Sequence, residues 1–140
     1  GMRCGYAIGA AKQITAFDKI RNHFGMNKLT QIAALAALKD QDYLKHIIGR
    51  IIAGRDRIAR IAAVNGLSAI ASATNFVTID CGRDGAYALS VLNALIAQDV
   101  FVRKPMAPGL DRCIRVSVGL DDELDIFEQQ LPVALAAAAK

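Results

Sequence analysis

From Asp40 to Gly66 the chain carries one sustained helical pattern. Leu44, Ile47, Ile48, Ile51, Ile52, Ile58, Ile61 and Ala62 recur at three- and four-residue steps. A helix that starts at Asp40 or Asp42 and closes at Asn65-Gly66 lays a long apolar stripe that another layer must cover. Lys45, Arg50, Arg55, Arg57 and Arg60 fall among the isoleucines and read as a solvated helix face. Gly49 and Gly54 each cost this helix about 1 kcal/mol against alanine, so close packing is expected at both. Gly66 suits the left-handed position just past the helix end.

A small sheet, covered by helices on at least one face, is expected beside it. "SATNFVTIDCG" alternates, with Val77, Ile79 and Cys81 on one face and Phe76, Thr78 and Asp80 on the other. "VFVRK" and "CIRVSVG" read as two short strands joined by a loop that holds Pro105, Pro108 and Gly109. "RCGYAIG" (3–9) reads as a further strand. The remaining segments are helical: 10–24, apolar at Ile14, Phe17, Ile20 and Phe24; 28–39, capped by Asn27 and rich enough in alanine and leucine to be buried on most sides; and "DGAYALSVLNALIAQD". A last helix opens with Asp121, Asp122, Glu123 and Asp125, where the helix dipole favours anions. Pro132 should kink or end it, and the alanine tail should fray. The fold class is therefore α/β, an α+β layered domain with a small sheet covered by helices.

The 140 residues suffice for one domain with its own core, and 54% hydrophobic with 21% charged residues is a globular composition. No apolar run is long enough to span a bilayer and no leader pattern is present, so no membrane partner and a cytoplasmic location are expected. Cys4, Cys81 and Cys113 are odd in number and unpaired in spacing, which fits reduced, buried thiols rather than a disulfide or zinc framework. The net charge of +4 invites a nucleic-acid reading. No aromatic residues interleave with the basic ones to stack bases, so no nucleic-acid partner is expected.

Few residues offer catalysis. His23 and His46 sit on separate helices with no acid or cysteine at ligand spacing, and phosphate-loop and nucleophile-elbow motifs are lacking. The arginines say more. Arg115 shares a strand face with Cys113 and Ser117, and Arg103 lies on the neighbouring strand. Two guanidinium forks there can converge on one carboxylate or phosphate, or each can simply lie on the wet face of a half-buried sheet.

Five segments in order are similar to a known family: "MRCGYAIG", "KIRNHFGMNKLTQIAALAAL", "SATNFV", "VFVRK" and "CIRVSVGLDDELDIF". They resemble the carboxyl-terminal part of class I/II (fold type I) pyridoxal-phosphate aminotransferases, nearest the histidinol-phosphate aminotransferase-like branch, from Met2 to about Leu131. In that family a motif S-x-S-K-x-x-G-x-x-G-x-R-x-G-Y supplies the Schiff-base lysine and a phosphate-gripping arginine. Arg3-Cys4-Gly5-Tyr6 match its end, so the resemblance implies that Arg3 binds the cofactor phosphate and that the lysine position falls before residue 1. It further implies that Arg115 binds the substrate carboxylate or phosphate, that Arg103 is a second anion-binding arginine, and that Asn75-Phe76 are structural. "HFGMN" departs from the family's commoner P-Y/F-N-x-N.

The resemblance thus implies residues 1–10 as a remnant of the large cofactor-binding domain and 11–140 as the small carboxyl-terminal domain. It implies pyridoxal 5'-phosphate as cofactor of the full-length parent and an amino acid or amino-phosphate as substrate. This chain alone is expected to be inactive. Residues 3–9, and the helix holding Ile32, Leu35 and Leu38, would lack their usual large-domain partners. Residues 3–9 should therefore pair across chains or be displaced, that helix should expose apolar surface, and the chain should self-associate as a homodimer or higher oligomer. The alternative is a free-standing α/β module that binds small anionic ligands through Arg103 and Arg115.

Overall fold

A computed structural model describes residues 3–22 and 24–139. It divides into two units, residues 1–47 and 48–140.

The first unit contains α1 (Ala11–Asp18), α2 (Lys28–Lys39) and the start of α3 (Gln41–Val64). Residues 3–9 form no strand, because no partner strand lies within the unit to take their backbone groups. The helix expected over 10–24 stops at Asp18. Asn22 ends the pattern locally, its side-chain oxygen accepting the Phe24 N–H at 2.9 Å, a turn bond that competes with the helix. The reading of His23 lies outside the described residues. Asn27 caps α2 as expected, accepting the Thr30 N–H at 2.8 Å. The burial read for α2 from its composition is not observed, and the exposure that the resemblance implies is: Thr30 is its one buried residue, while Leu29, Ile32, Leu35 and Leu38 are exposed.

The second unit holds the body of α3, then β1 (Ser68–Ile70), β2 (Phe76–Asp80), α4 (Gly85–Ile96), β3 (Cys113–Ser117) and α5 (Asp121–Ala138). The strands form one antiparallel sheet in the order β1-β2-β3. Val77, Ile79, Ile114 and Val116 turn to its helix-covered face and meet Ile58, Ile61 and Ala62 of α3, Val91 and Leu95 of α4, and Leu124, Phe127 and Leu131 of α5. The isoleucine stripe is thus buried only in its second half; Ile48 and Ile52 are exposed.

Gly66 (φ +73°) ends α3 in the left-handed conformation. Its N–H bonds the Ala63 carbonyl at 3.0 Å and the Leu67 N–H bonds that of Ala62 at 2.9 Å, so both orphaned carbonyls are satisfied. The α4 terminus repeats the device with Asp99 (φ +59°) in the glycine's place. Helix α5 runs through Pro132, contrary to the expected break. The proline removes one donor on an exposed face, while Leu131, Ala134 and Leu135 anchor the turns around it in the core and alanine favours continuation. Arg55 and Arg57 are not simply solvated. Arg55 donates to the Thr74 carbonyl at 2.9 Å, and Arg57 ties α3 to α5 through Asp125 and Glu128, each at 2.6 Å.

The two helix glycines separate. A methyl group at Gly54 would collide with the side chain of Val118, whereas one at Gly49 meets nothing. Close packing therefore explains Gly54 and not Gly49. Gly54→Ala is expected to destabilise by about 1–2 kcal/mol through overpacking, and Gly49→Ala to stabilise by about 0.5–1 kcal/mol. Urea unfolding of the two variants checks the opposite signs.

Candidate functional site

Arg115 lies at the centre of β3, where alternation places it opposite Thr78 and on the sheet face away from Val77 and Ile79. Both of its backbone groups are given to Arg103: the Arg115 N–H bonds the Arg103 carbonyl at 2.6 Å, and the Arg103 N–H returns to the Arg115 carbonyl at 3.0 Å. Residues so paired across an antiparallel ladder project to the same face with neighbouring Cβ atoms. The structure therefore brings Arg103 and Arg115 together. It does so with a single bridge, and the strand expected over "VFVRK" is absent. The Val100 N–H is committed to closing α4 on Leu95, and Pro105 has no N–H to offer, so pairing stops on either side of Arg103.

Some cations of this unit are claimed by acids, and Arg103 and Arg115 are not among them. Arg57 is claimed by Asp125 and Glu128, and Arg112 by Asp80. Among the described residues no carboxylate pairs with Arg103 or Arg115, and neither guanidinium donates a hydrogen bond within the protein. Arg103 is exposed; Arg115 is half-buried, and its Nε is enclosed without an acceptor. The guanidinium carbon of Arg115 lies over the Phe76 ring, 4.7 Å from its centroid. Lys104 Nζ is also enclosed without a partner. The arrangement can bind an anion: two adjacent forks, one exposed and one partly desolvated, with no counter-charge paired to them among the described residues.

The nearest acid on this face of β2 is already used. Asp80 accepts the Gly82 N–H at 2.8 Å and two donors of Arg112 at 2.9 and 2.5 Å, which hold its carboxyl below the usual carboxylate range. A lowered folded-state value means stability that is present above the unfolded value of about 3.9 and lost as pH falls through the folded one. Because Arg112 is half exposed, the contribution is about 1 kcal/mol or less. Urea midpoints of Asp80→Asn are expected to trail the parent at pH 7 and to converge with it near pH 2.

Arg3 lies in the first unit, exposed, with a left-handed backbone (φ +53°) and no ion pair among the described residues. His46 is exposed on α3, and among the described residues no group of histidines, cysteines or acids could hold a metal. Cys81 and Cys113 are buried as expected and Cys4 is exposed, contrary to expectation. Burial pushes the Cys81 thiol up to about 11 and raises that of Cys113, so both are poor nucleophiles. No helix among the described residues is long and apolar enough to cross a membrane. The contact of Phe76 with Arg115 was not foreseen; its signal was the shared parity of Phe76 and Thr78, visible only once the β2–β3 register is known.

A family model described as aminotransferase class I and II matches residues 1–127. The chain is 36% identical to a histidinol-phosphate aminotransferase of Geotalea uraniireducens over 126 residues, 89% of this chain and 35% of that protein. It is 35% identical to histidinol-phosphate aminotransferase 2 of Ralstonia nicotianae, covering 99% of this chain and 37% of the relative. It therefore spans about a third of the length of these curated relatives. A crystal structure of histidinol-phosphate aminotransferase from Sinorhizobium meliloti, in complex with pyridoxal 5'-phosphate, matches with a TM-score of 0.85 and 47% identity over 89% of this chain and 34% of that one. The α+β fold, the matched segments and the relatives agree: the chain belongs to the class I and II aminotransferases, the fold type I enzymes whose cofactor is pyridoxal 5'-phosphate.

Proposed function

We propose that this chain is the carboxyl-terminal part of an aminotransferase that moves an amino group between an amino acid or amino-phosphate and a 2-oxo acid, and that Arg115 and Arg103 hold the anionic group of the substrate. The observation that carries this reading is the backbone-paired placement of two arginines that no acid among the described residues neutralises. Residues 1–10 are read as a remnant of the cofactor-binding domain and 11–140 as the small domain, in a cytoplasmic homodimer or higher self-association. The relatives' names make histidinol phosphate the first donor to try.

Arg3 suits the cofactor phosphate, since its exposed guanidinium is unclaimed among the described residues and offers the fork that a phosphate accepts. When bound, pyridoxal phosphate supplies the electron sink that amino-group transfer requires. The task of Arg103 and Arg115 is to bind and orient. A charged fork on one strand and a second beside it fix the substrate's anionic end, so that its amino-bearing carbon is presented in one pose.

The Schiff-base lysine is read as lying upstream of residue 1. Borohydride treatment of this chain with pyridoxal phosphate is therefore expected to leave every lysine unlabelled at stoichiometry; full labelling of one lysine overturns that assignment. Expression of the polypeptide extended by the in-frame upstream sequence tests the activity, with transfer from histidinol phosphate or from each of the common amino acids to a 2-oxo acid as the readout. Absence of transfer from every donor overturns the reading.

A further inference from the structure

We propose that Phe76 is a positioning residue for Arg115, its ring fixing the guanidinium so that the donors remain free for an anion. The proposal rests on the reading of Arg115 as an anion-binding residue. The β2–β3 register pairs Phe76 with Ser117 and Thr78 with Arg115, so Phe76 is diagonal to Arg115 on the same face. Because the backbone groups of Arg115 both go to Arg103, its pairing with Thr78 is the closer, non-hydrogen-bonded kind, which draws the diagonal neighbour within reach. The guanidinium carbon lies 4.7 Å from the ring centroid, inside the roughly 6 Å limit of a cation–π contact.

Nothing else among the described residues orients this side chain. It has no ion pair and donates no hydrogen bond, and its Nε is enclosed without an acceptor. A long, flexible arginine left so would lose much of its fork's preorganisation. A carboxylate partner would steady it but would occupy the N–H groups that an anion needs. An aromatic ring steadies it from the π side and takes none of them. The ring also covers one side of the guanidinium against water, which strengthens the remaining in-plane interactions.

The test uses the 140-residue chain, with the arginine Nε–Hε signals followed by NMR during titration with inorganic phosphate. Arg115→Gln assigns the Arg115 signal. In the parent chain that signal is expected to be ring-shifted away from those of the other arginines. Phe76→Leu should remove the ring shift and weaken phosphate binding about two- to fivefold, and Phe76→Tyr should restore both. An unshifted Arg115 signal in the parent overturns the proposal without any variant, as does unchanged phosphate affinity in Phe76→Leu. If phosphate does not bind the parent, or binds Arg115→Gln as tightly, the reading of Arg115 itself falls.

Discussion

Arg115→Lys, made in the longer polypeptide, is expected to lower kcat/KM for amino-group transfer by about 2–3 kcal/mol, roughly 30- to 150-fold. The substitution keeps the positive charge but replaces a planar fork with a point charge on a flexible stem. It also removes the flat guanidinium that lies over Phe76. The loss should fall on substrate handling, since the proposal gives Arg115, on β3, the anionic group of the substrate and Arg3 the cofactor phosphate. Pyridoxal phosphate affinity, read by equilibrium titration, should stay within about twofold, a few tenths of a kcal/mol. An equal fall in cofactor affinity and turnover would show that the division of labour between Arg3 and Arg115 is wrong.

Ile79→Ala is expected to cost about 3–4 kcal/mol of unfolding free energy. Ile79 is fully buried at the middle of the sheet, facing Ala69 on one neighbouring strand and Ile114 on the other. Its side chain cannot be replaced by a nearby movement, because both flanking strands are pinned by their ladders. Against a typical total of about 5–15 kcal/mol, such a loss approaches unfolding at physiological temperature. Thr78→Ala, one residue away on the partly wet face, should cost under about 1 kcal/mol. Urea denaturation separates the two, and similar midpoints would mean that the register has been misassigned.

The residues differ in how openly they announced their structure. Asn27 and Gly66 did so because a cap is chemistry within a few positions of itself. The alternation of Phe76–Asp80 did so because burial of a single strand face is written in period two. Strand β1 was missed, since three residues, Ser68–Ile70, show no period at all. The strand read at 3–9 and the burial read for α2 from local pattern are absent for a shared reason, and the resemblance implied both outcomes: each needs a partner surface that the described residues do not supply. Pro132 was read from local backbone chemistry, and the core contacts on either side of it outweighed that chemistry. At the site, the approach of Arg103 to Arg115 followed from the two segments being neighbours. The ring beside Arg115 required the pairing of strands more than thirty positions apart, which no local pattern encodes.

The single bridge at Arg103 has an evolutionary consequence. Residues 104–112 leave the ladder immediately after it and return only at Cys113, so insertions or deletions there can be absorbed outside the sheet. A one-residue slip within Cys113–Ser117 would instead turn Arg115 toward the core and bring Ile114 or Val116 to the wet face. Mutation is therefore tolerated very unequally along a stretch of fifteen residues. Descendants of this chain are free to change the surroundings of the two arginines by changing the loop, while the strand keeps Arg115 on its wet face.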